Sequence, residues 1–391
     1  MNLLPKASGS RPRIACEISP DGVVAARATQ PGASLEAVAR AALAEGAVMP
    51  SLRPGNLVDG VAVVAALRRV MDSIGLRANS RAADVTLIIP DGAVRVLLLD
   101  FDTLPNKLSE ALPLVRFRLK KLVPFETNDA VVSFQVMSSA RNAVRVLAVA
   151  IPQDVLSEYE NAVREAGFEP GAVLPSTLAA LPALSGPEPV LLANASSASI
   201  TTAIVREGIL MLHRSIDLQP GPAESTVPST EPVYPRAPTE PAPVTQSPYT
   251  SPTLMADLNA ELHNAILVAP TSLGTLTDPR LAERVPEIAR AALQPSGAEP
   301  VMGSPAEEIA QAISVAIAYY EDNVAALPSA ILSAGPLGAD GLRRILQDYG
   351  IATTGGVHVH ELIDTTALTG AGAPGSVSRS AFAGVAGALR G

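Results

Sequence analysis

Few residues of this chain have the types and spacing that metal or acid–base chemistry requires. His358 and His360 alternate along a predicted strand, which places both imidazoles on one face, and Glu361 follows directly. A zinc site needs a further well-spaced ligand, so the pattern favours a solvated strand face. The sequence also contains no Ser-His-Asp arrangement, Walker phosphate loop or zinc-finger spacing. We therefore expect no catalytic residues and no metal ligands.

Composition indicates a protein of a reducing compartment that does not bind nucleic acid. The 391 residues carry a net charge of -9 with dispersed acidic side chains, whereas nucleic-acid binding needs a clustered cationic surface. The single cysteine, Cys16, excludes an intramolecular disulfide. The apolar runs are shorter than the ~20 residues that span a bilayer, and the first residues do not resemble a signal peptide. We expect a cytoplasmic protein, so contact with a membrane would have to come through a partner.

The first half of the chain alternates strand and helix patterns. Residues 14–27 predict two strands around a Pro20-Asp21-Gly22 turn. Helical spacing follows at residues 35–45, 59–74, 109–122 and 155–166, and strand patterns at residues 84–90, 94–99, 130–137 and 144–150. The helix at 109–122 carries Arg116, Arg118, Lys120 and Lys121. Such a cluster is usually a solvated face, and an acidic partner or anionic lipid is the alternative.

The second half repeats the strand-then-helix order. Strands are predicted at residues 190–193, 199–205, 209–216 and 330–333, and helices at 257–268, 279–293, 305–323, 337–347 and 380–389. Residues 218–253 contain ten prolines among Ser, Thr and Glu, which predicts a disordered insertion. Two α/β halves of similar order predict a duplicated fold.

Three stretches of the chain resemble the PilM family of type IV pilus assembly, which is related to FtsA. They are IIPDGAVRVLLLDF, LKKLVPFETNDAVVSFQVM and VRVLAVAIPQDVLSEYENAVREAGFEPGAV, all within residues 85–184. Weaker similarity extends to SAILSAGPLGADGLRRILQDYG and SRSAFAGVAGALRG. The resemblance implies an actin-like α/β fold with two lobes flanking a cleft and an inserted αβ subdomain.

The same resemblance divides the chain into segments. Residues 1–12 are a flexible start, residues 13–93 and 171–187 form the first lobe, and residues 94–170 form the inserted subdomain. Residues 188–217 and 301–391 form the second lobe with a closing helix. Between them lie the proline-rich insertion at 218–253 and a small helical subdomain at 254–300.

The resemblance also implies a nucleotide site, and this chain makes four departures from the family pattern there. Glu17 stands where the first hairpin usually has Asp, and Ser19-Pro20 replaces Gly-Ser. Asn194 replaces the Asp of the second hairpin, where Ser196 and Ser197 still offer hydroxyls. The adenosine turn keeps Gly335, and the family's acidic positions in the connecting helix are Leu174 and Ser176. We expect ordinary turns without hydrolysis, and weak binding of ATP or ADP with Mg²⁺ is the alternative.

Two further features concern a peptide partner that the resemblance implies, the cytoplasmic end of a PilN-like membrane protein. Asn2, Leu3, Leu4 and Pro5 match the motif that PilM grips, and we interpret them as a tethered copy of that ligand or as a disordered start. The predicted groove residues on the inserted subdomain are Leu119, Leu122, Val123, Pro124, Phe125 and Phe134.

These patterns predict a scaffold of the pilus assembly platform that binds a PilN-like peptide and is not an enzyme. Further expected partners are pilus motor or platform proteins and copies of the chain itself, as a dimer or ring. The alternatives are an active actin-like ATPase, an FtsA-like cell-division protein and a component of a type II secretion platform.

Overall fold

Two sheets that each begin with a hairpin organise the chain. The computed structural model describes residues 12–30, 35–76, 84–218, 303–324, 328, 330–351, 358–363 and 378–390. The ligand-like motif at residues 2–5, the helices predicted at 257–268 and 279–293 and, apart from Leu218, the proline-rich segment lie outside the described residues.

The first sheet has five strands in the order β3-β2-β1-β4-β8. They are β1 (Ile14–Ser19), β2 (Gly22–Ala28), β3 (Leu35–Ala41), β4 (Asp84–Ile89) and β8 (Glu169–Pro175). β1, β2 and β3 are antiparallel, whereas β4 runs parallel to β1 and to β8. Helix α1 (Gly60–Ser73) packs on β2 and β3, and its N-terminus is capped by the Asp59 side chain, which accepts from the Ala62 N–H.

The helix that the spacing predicts at residues 35–45 is wrong, because this segment forms the edge strand β3. Arg27 pairs with Ala37 and Ala28 pairs with Leu35, so Glu36 is the extra residue of a β-bulge. The bulge changes the phase of the alternation, and the apolar side chains Leu35 and Val38 are then buried three residues apart. A spacing of three is the pattern that favours a helix when sequence is considered alone.

A three-stranded sheet in the order β5-β7-β6 forms the inserted subdomain. Its strands are β5 (Arg95–Phe101), β6 (Ala130–Ala140) and β7 (Ala143–Pro152), and α2 (Leu108–Leu119) packs on β6. Helix α3 (Gln153–Glu165) packs instead on α1 and β8, because its apolar side chains join the core of the first sheet. The subdomain is therefore shorter than the predicted residues 94–170.

The second sheet has the order β11-β10-β9-β12-β13, which repeats the arrangement of the first. Its strands are β9 (Val190–Ala195), β10 (Ser199–Arg206), β11 (Ile209–Asp217), β12 (Ala330–Ala334) and β13 (His358–Glu361). Helices α5 (Pro305–Val324) and α6 (Gly338–Asp348) cover it. The predicted duplication is thus present in the strand order of the two halves, which we call the first and second lobes.

The helix α7 (Ala383–Arg390) packs on the first lobe, although the predicted domain boundaries place it with the second. It lies against β1 and the short helix α4 (Ser176–Ala180). Small residues permit this contact: a Cβ at Gly387 would lie 2.2 Å from the carbonyl oxygen of Ala179. The guanidinium of Arg390 fixes the end of the helix by donating to the Ala183 carbonyl oxygen at 3.2 Å.

None of the helices within the described ranges combines the length and apolarity that crossing a bilayer requires.

Candidate functional site: the cleft between the two sheets

In the second hairpin, the N–H groups of the turn between β9 and β10 donate to acceptors of the same chain. The hydroxyl oxygen of Ser196 accepts from the N–H groups of Ala198 at 3.3 Å and Ser199 at 3.1 Å. The N–H of Ser197 donates across the cleft to the carboxylate of Asp21, with 3.1 Å between N and Oδ2. Three successive N–H groups are the donors with which such turns bind phosphate, and here each has an acceptor from the chain.

The turn of the first hairpin is closed in a similar way. The Ser19 hydroxyl donates to the Gly22 carbonyl oxygen at 3.0 Å, and the next residue, Pro20, has no N–H to offer. The Arg40 guanidinium donates to the Asp21 carbonyl oxygen at 3.0 Å, which holds the turn against β3. This turn therefore presents an acidic side chain to the second hairpin where an anion would need donors.

Below the turns, the Asn194 amide is the donor for a polar network that joins the lobes. Its Nδ2 lies 3.0 Å from Ser176 Oγ, 3.0 Å from Thr177 Oγ1 and 3.4 Å from Asp91 Oδ2. The Ser176 hydroxyl in turn donates to Glu17 at 2.6 Å, and the Thr177 hydroxyl donates to Asp91. Two carboxylates thus end the network as acceptors, and the protons come from the neutral amide of β9 and from the two hydroxyls.

Asp91 anchors this network in the first lobe. Its carboxylate is buried and also accepts from the Thr177 N–H at 3.1 Å, so it caps the start of α4. Sequence reasoning missed this residue because Asp91-Gly92 has the composition of an exposed turn. The only available signal was its position directly after a buried strand, where parallel sheets place functional side chains.

Glu17 is the second carboxylate of the network, and it is held against α7. Its Oε2 packs on the backbone of Gly384 in α7, where an added Cβ would lie 2.4 Å from that oxygen. Desolvation by burial raises the pKa of Glu17 to about 7, the hydrogen bond from Ser176 lowers it, and the charge of Asp91 raises it. The carboxyl therefore gains a proton near neutral pH.

Replacing Glu17 with glutamine should remove a pH dependence of stability. The folded-state pKa of Glu17, about 7, lies above its ordinary value of 4.5, so the folded chain binds this proton more tightly than the unfolded chain. Stability from this group is then present at low pH and lost as pH rises toward 7. Between about pH 5 and pH 8 we expect the free energy of unfolding of wild type to fall by about 2 kcal/mol more than that of Glu17→Gln.

Urea unfolding at both pH values measures this difference. The glutamine side chain keeps an oxygen that accepts from Ser176, so the network geometry is preserved. Glu165→Gln on the exposed end of α3 is the matched control. Parallel pH profiles for wild type and Glu17→Gln would contradict the assignment.

Position 335 requires glycine because the turn after β12 packs directly against the end of β9. Its φ is +83°, and a Cβ there would lie 2.5 Å from both the Ala195 carbonyl oxygen and Asn194 Oδ1. Its N–H donates to the Ser380 carbonyl oxygen at 2.9 Å. The turn predicted to hold adenosine is therefore fixed to the second hairpin and to the turn before α7.

The cleft that remains is small. Its cavity measures about 10 Å³ and is lined by Glu17, Ser19, Asp21, Asn194, Gly335 and Ser380, among others. A cavity of this size holds about one water molecule. The arrangement can bind a proton at Glu17 and join the lobes.

The structure brings most of the predicted nucleotide residues together. Glu17, Ser19, Asn194 and Gly335 line the cavity, and Ser196 and Ser197 lie at its edge in the second hairpin. Besides Asp91, the residues that sequence reasoning missed are Asp21, Ser380 and Gly384.

The His358 and His360 pair lies apart from this cleft. Both side chains are exposed, with ring centroids 6.1 Å apart. Glu361 does not face them, because its carboxylate accepts from the N–H of Ala339 at 3.1 Å and from the Ser380 N–H at 2.7 Å. Across the residues that the structure describes, no three His, Cys, Asp or Glu side chains are placed to hold a metal ion.

Only four of the six predicted groove residues have exposed surface that could contact a peptide. Leu122 and Pro124 are exposed, and Phe125 and Phe134 are half-buried. Leu119 has 0% exposure and Val123 9%, because both pack with Val115 and Val146 in the core of the inserted subdomain. Their assignment to a binding surface is corrected: they support the surface from inside.

Comparison with known proteins identifies the fold. One chain of a PilM-PilN type IV pilus biogenesis complex matches with a TM-score of 0.58 and 15% sequence identity, over 97% of this chain and 99% of that one. The chain has the actin-like fold. The predicted fold class is confirmed, and the resemblance to PilM is confirmed as a likeness of structure.

Two other solved structures are more distant. The ethanolamine utilization protein EutJ from Carboxydothermus hydrogenoformans matches with a TM-score of 0.41 and 12% identity, over 100% of this chain and 91% of that one. The cytoplasmic domain of EpsL, an inner membrane component of the Vibrio cholerae type II secretion system, matches with a TM-score of 0.34 and 15% identity, over 52% and 70%. No protein-family model and no curated protein matches the sequence.

Proposed function

We propose that this chain is a non-hydrolysing scaffold of a type IV pilus assembly platform, in the cytoplasm beneath the inner membrane. The observation that carries the proposal is a PilM-type fold, matched along nearly its whole length, in which the N–H donors of the second hairpin turn already have acceptors within the chain. A protein of this kind keeps its two lobes together without a ligand and offers its surface to partners.

The cleft supports the absence of hydrolysis in two ways. Phosphoryl transfer needs donors for the phosphates, a charged ligand for Mg²⁺ and an oriented water. The donors of the second hairpin are engaged by Ser196 and Asp21. Asn194 is uncharged and donates through its amide, so it does not supply the negative charge that attracts Mg²⁺. Weak binding of ATP or ADP would require these contacts to open first.

The proposed partner is the amino-terminal peptide of a PilN-like membrane protein, since a PilM-PilN complex has the matching fold. The exposed and half-buried side chains Leu122, Pro124, Phe125 and Phe134 offer an apolar surface on the inserted subdomain. Burial of each leucine of an Asn-Leu-Leu-Pro peptide would contribute about 2 kcal/mol. Self-association and contact with motor proteins stay predictions.

Isothermal titration of the chain without residues 1–6 against an Asn-Leu-Leu-Pro peptide, with and without Mg-ATP, tests this function. We expect micromolar binding that does not change with Mg-ATP, corresponding to about -8 kcal/mol. Removing residues 1–6 should raise the apparent affinity, because the chain's own motif then no longer competes.

Two variants localise the binding. Leu122→Ser should weaken the peptide complex, whereas Val315→Ser, which alters a similarly exposed side chain on α5, should leave it unchanged. Clear binding of ATP without binding of the peptide would overturn the scaffold and favour an active actin-like ATPase.

A further inference from the structure

Helix α2 carries apolar side chains on two opposite faces. Ala111, Val115 and Leu119 form the inner face, which packs into the core of the inserted subdomain. Leu114 and Phe117 point outward, with exposures of 44% and 68%. A soluble protein gains nothing by exposing a phenylalanine beside a leucine one turn away, so the outer face needs an explanation beyond packing.

Helix α2 and the residues on either side of it concentrate positive charge. Residues 107–126 contain the five cations Lys107, Arg116, Arg118, Lys120 and Lys121 and the two carboxylates Glu110 and Glu126, a net charge of +3. Because the whole chain has a net charge of -9, all other residues together carry -12. The subdomain is therefore a cationic pole on an acidic protein.

Two of these cations stand next to the outer apolar face. The Lys121 ammonium lies 6.0 Å from the centre of the Phe117 ring, and Arg118 is exposed. Neither forms an ion pair with another residue that the structure describes, whereas Lys107 pairs with Glu110 at 3.4 Å and Lys120 with Glu126 at 3.9 Å. An exposed aromatic ring flanked by cations without ion-pair partners suits a membrane interface, because the ring can enter the apolar boundary while the long cationic side chains reach the headgroups.

We propose that the outer face of α2 and the turn that follows it, formed by Leu114, Phe117, Arg118 and Lys121, dock on an anionic membrane surface. A membrane fits better than an acidic protein helix, because these side chains form a convex ridge, and a helix partner is bound in a groove. Anionic headgroups attract the cationic pole and repel the rest of the molecule, which orients this face toward the bilayer. The inference does not depend on the proposed pilus function.

Co-sedimentation of the full chain with vesicles tests the proposal. We expect binding to vesicles of phosphatidylcholine mixed with phosphatidylglycerol, little binding to phosphatidylcholine alone, and weaker binding as salt is raised. Phe117→Ser combined with Lys121→Glu should weaken binding at least about thirtyfold. The charge reversal changes the net charge near the surface by two, which corresponds to about thirtyfold in affinity, and loss of the phenylalanine ring weakens binding further.

A matched control separates this face from general effects on charge. Val61→Ser combined with Arg344→Glu makes the same chemical changes at exposed positions of α1 and α6. This control should bind vesicles as wild type does, and circular dichroism should show that both double variants are folded.

Two results would overturn the proposal. One is equal recovery of the chain with neutral and anionic vesicles, or equal binding by the two double variants. The other is self-association in solution that Phe117→Ser abolishes while anionic vesicles bind no protein, which would make the face a contact between copies of the chain.

Discussion

Gly387→Ala should lower the free energy of unfolding by about 3 kcal/mol, the largest loss we expect from a single added methyl group in this protein. A Cβ at this position would lie 2.2 Å from the Ala179 carbonyl oxygen and 2.9 Å from the Ala180 Cα. Both contacts are backbone atoms of α4, which cannot move aside as a side chain would. Helix α7 would have to shift away from the first lobe, and the burial that joins them would be lost.

Gly60→Ala provides the control for this prediction. Gly60 begins α1, and a Cβ there meets nothing within 4 Å. Alanine at an unstrained helix position stabilises by roughly 0.5–1 kcal/mol relative to glycine. Urea unfolding of both variants should therefore move the midpoint in opposite directions, and a Gly387→Ala midpoint equal to that of wild type would show that α7 is not held closely against α4.

Asn194→Asp should destabilise the protein by about 3 kcal/mol at pH 8. The substitution keeps the shape of the side chain but removes its N–H donors to Ser176, Thr177 and Asp91. It also places a second carboxylate where the amide now lies 3.4 Å from Asp91. Like charges at that distance raise the folded-state pKa of the new carboxyl, so the lost stability should return in part at pH 5.

Urea unfolding at the two pH values measures this effect, and Asn142→Asp is its matched control. Asn142 lies in the exposed turn between β6 and β7 with φ +61°, a conformation that aspartate also adopts. The control should change stability by less than ~0.5 kcal/mol. Equal effects of the two substitutions would mean that the Asn194 amide does not join the lobes.

Local patterns in the sequence predicted most of the elements but not how distant elements meet. The β1–β2 hairpin follows from Pro20-Asp21-Gly22 between apolar strands, and strands β9 to β12 of the second sheet follow from their apolar runs. By contrast, β3 was predicted as a helix because the bulge at Glu36 hides its alternation. Helix α7 was predicted at the right place in the sequence, but nothing local to it indicates that its glycines pack against Ala179 and Ala180.

In the candidate site, too, the sequence indicated individual residues but not the contacts between distant ones. The resemblance directed attention to Glu17, Asn194 and Gly335, which do lie in one cleft. It did not indicate Asp91, whose role depends on a helix start at Thr177, or Asp21, whose partner is Ser197 in the other lobe. Contacts between residues more than eighty positions apart are set by the fold, so single-sequence patterns do not contain them.

The packing of α7 on the first lobe has a consequence for how the protein is made. Strand β1 leaves the ribosome first, whereas the helix that covers it spans residues 383–390. Domains of most proteins fold in order of synthesis, but here the first lobe stays incomplete until residue 390 has emerged. Its apolar surface around Ala179 and Ala180 stays uncovered until then, and a chain truncated before α7 leaves that surface exposed.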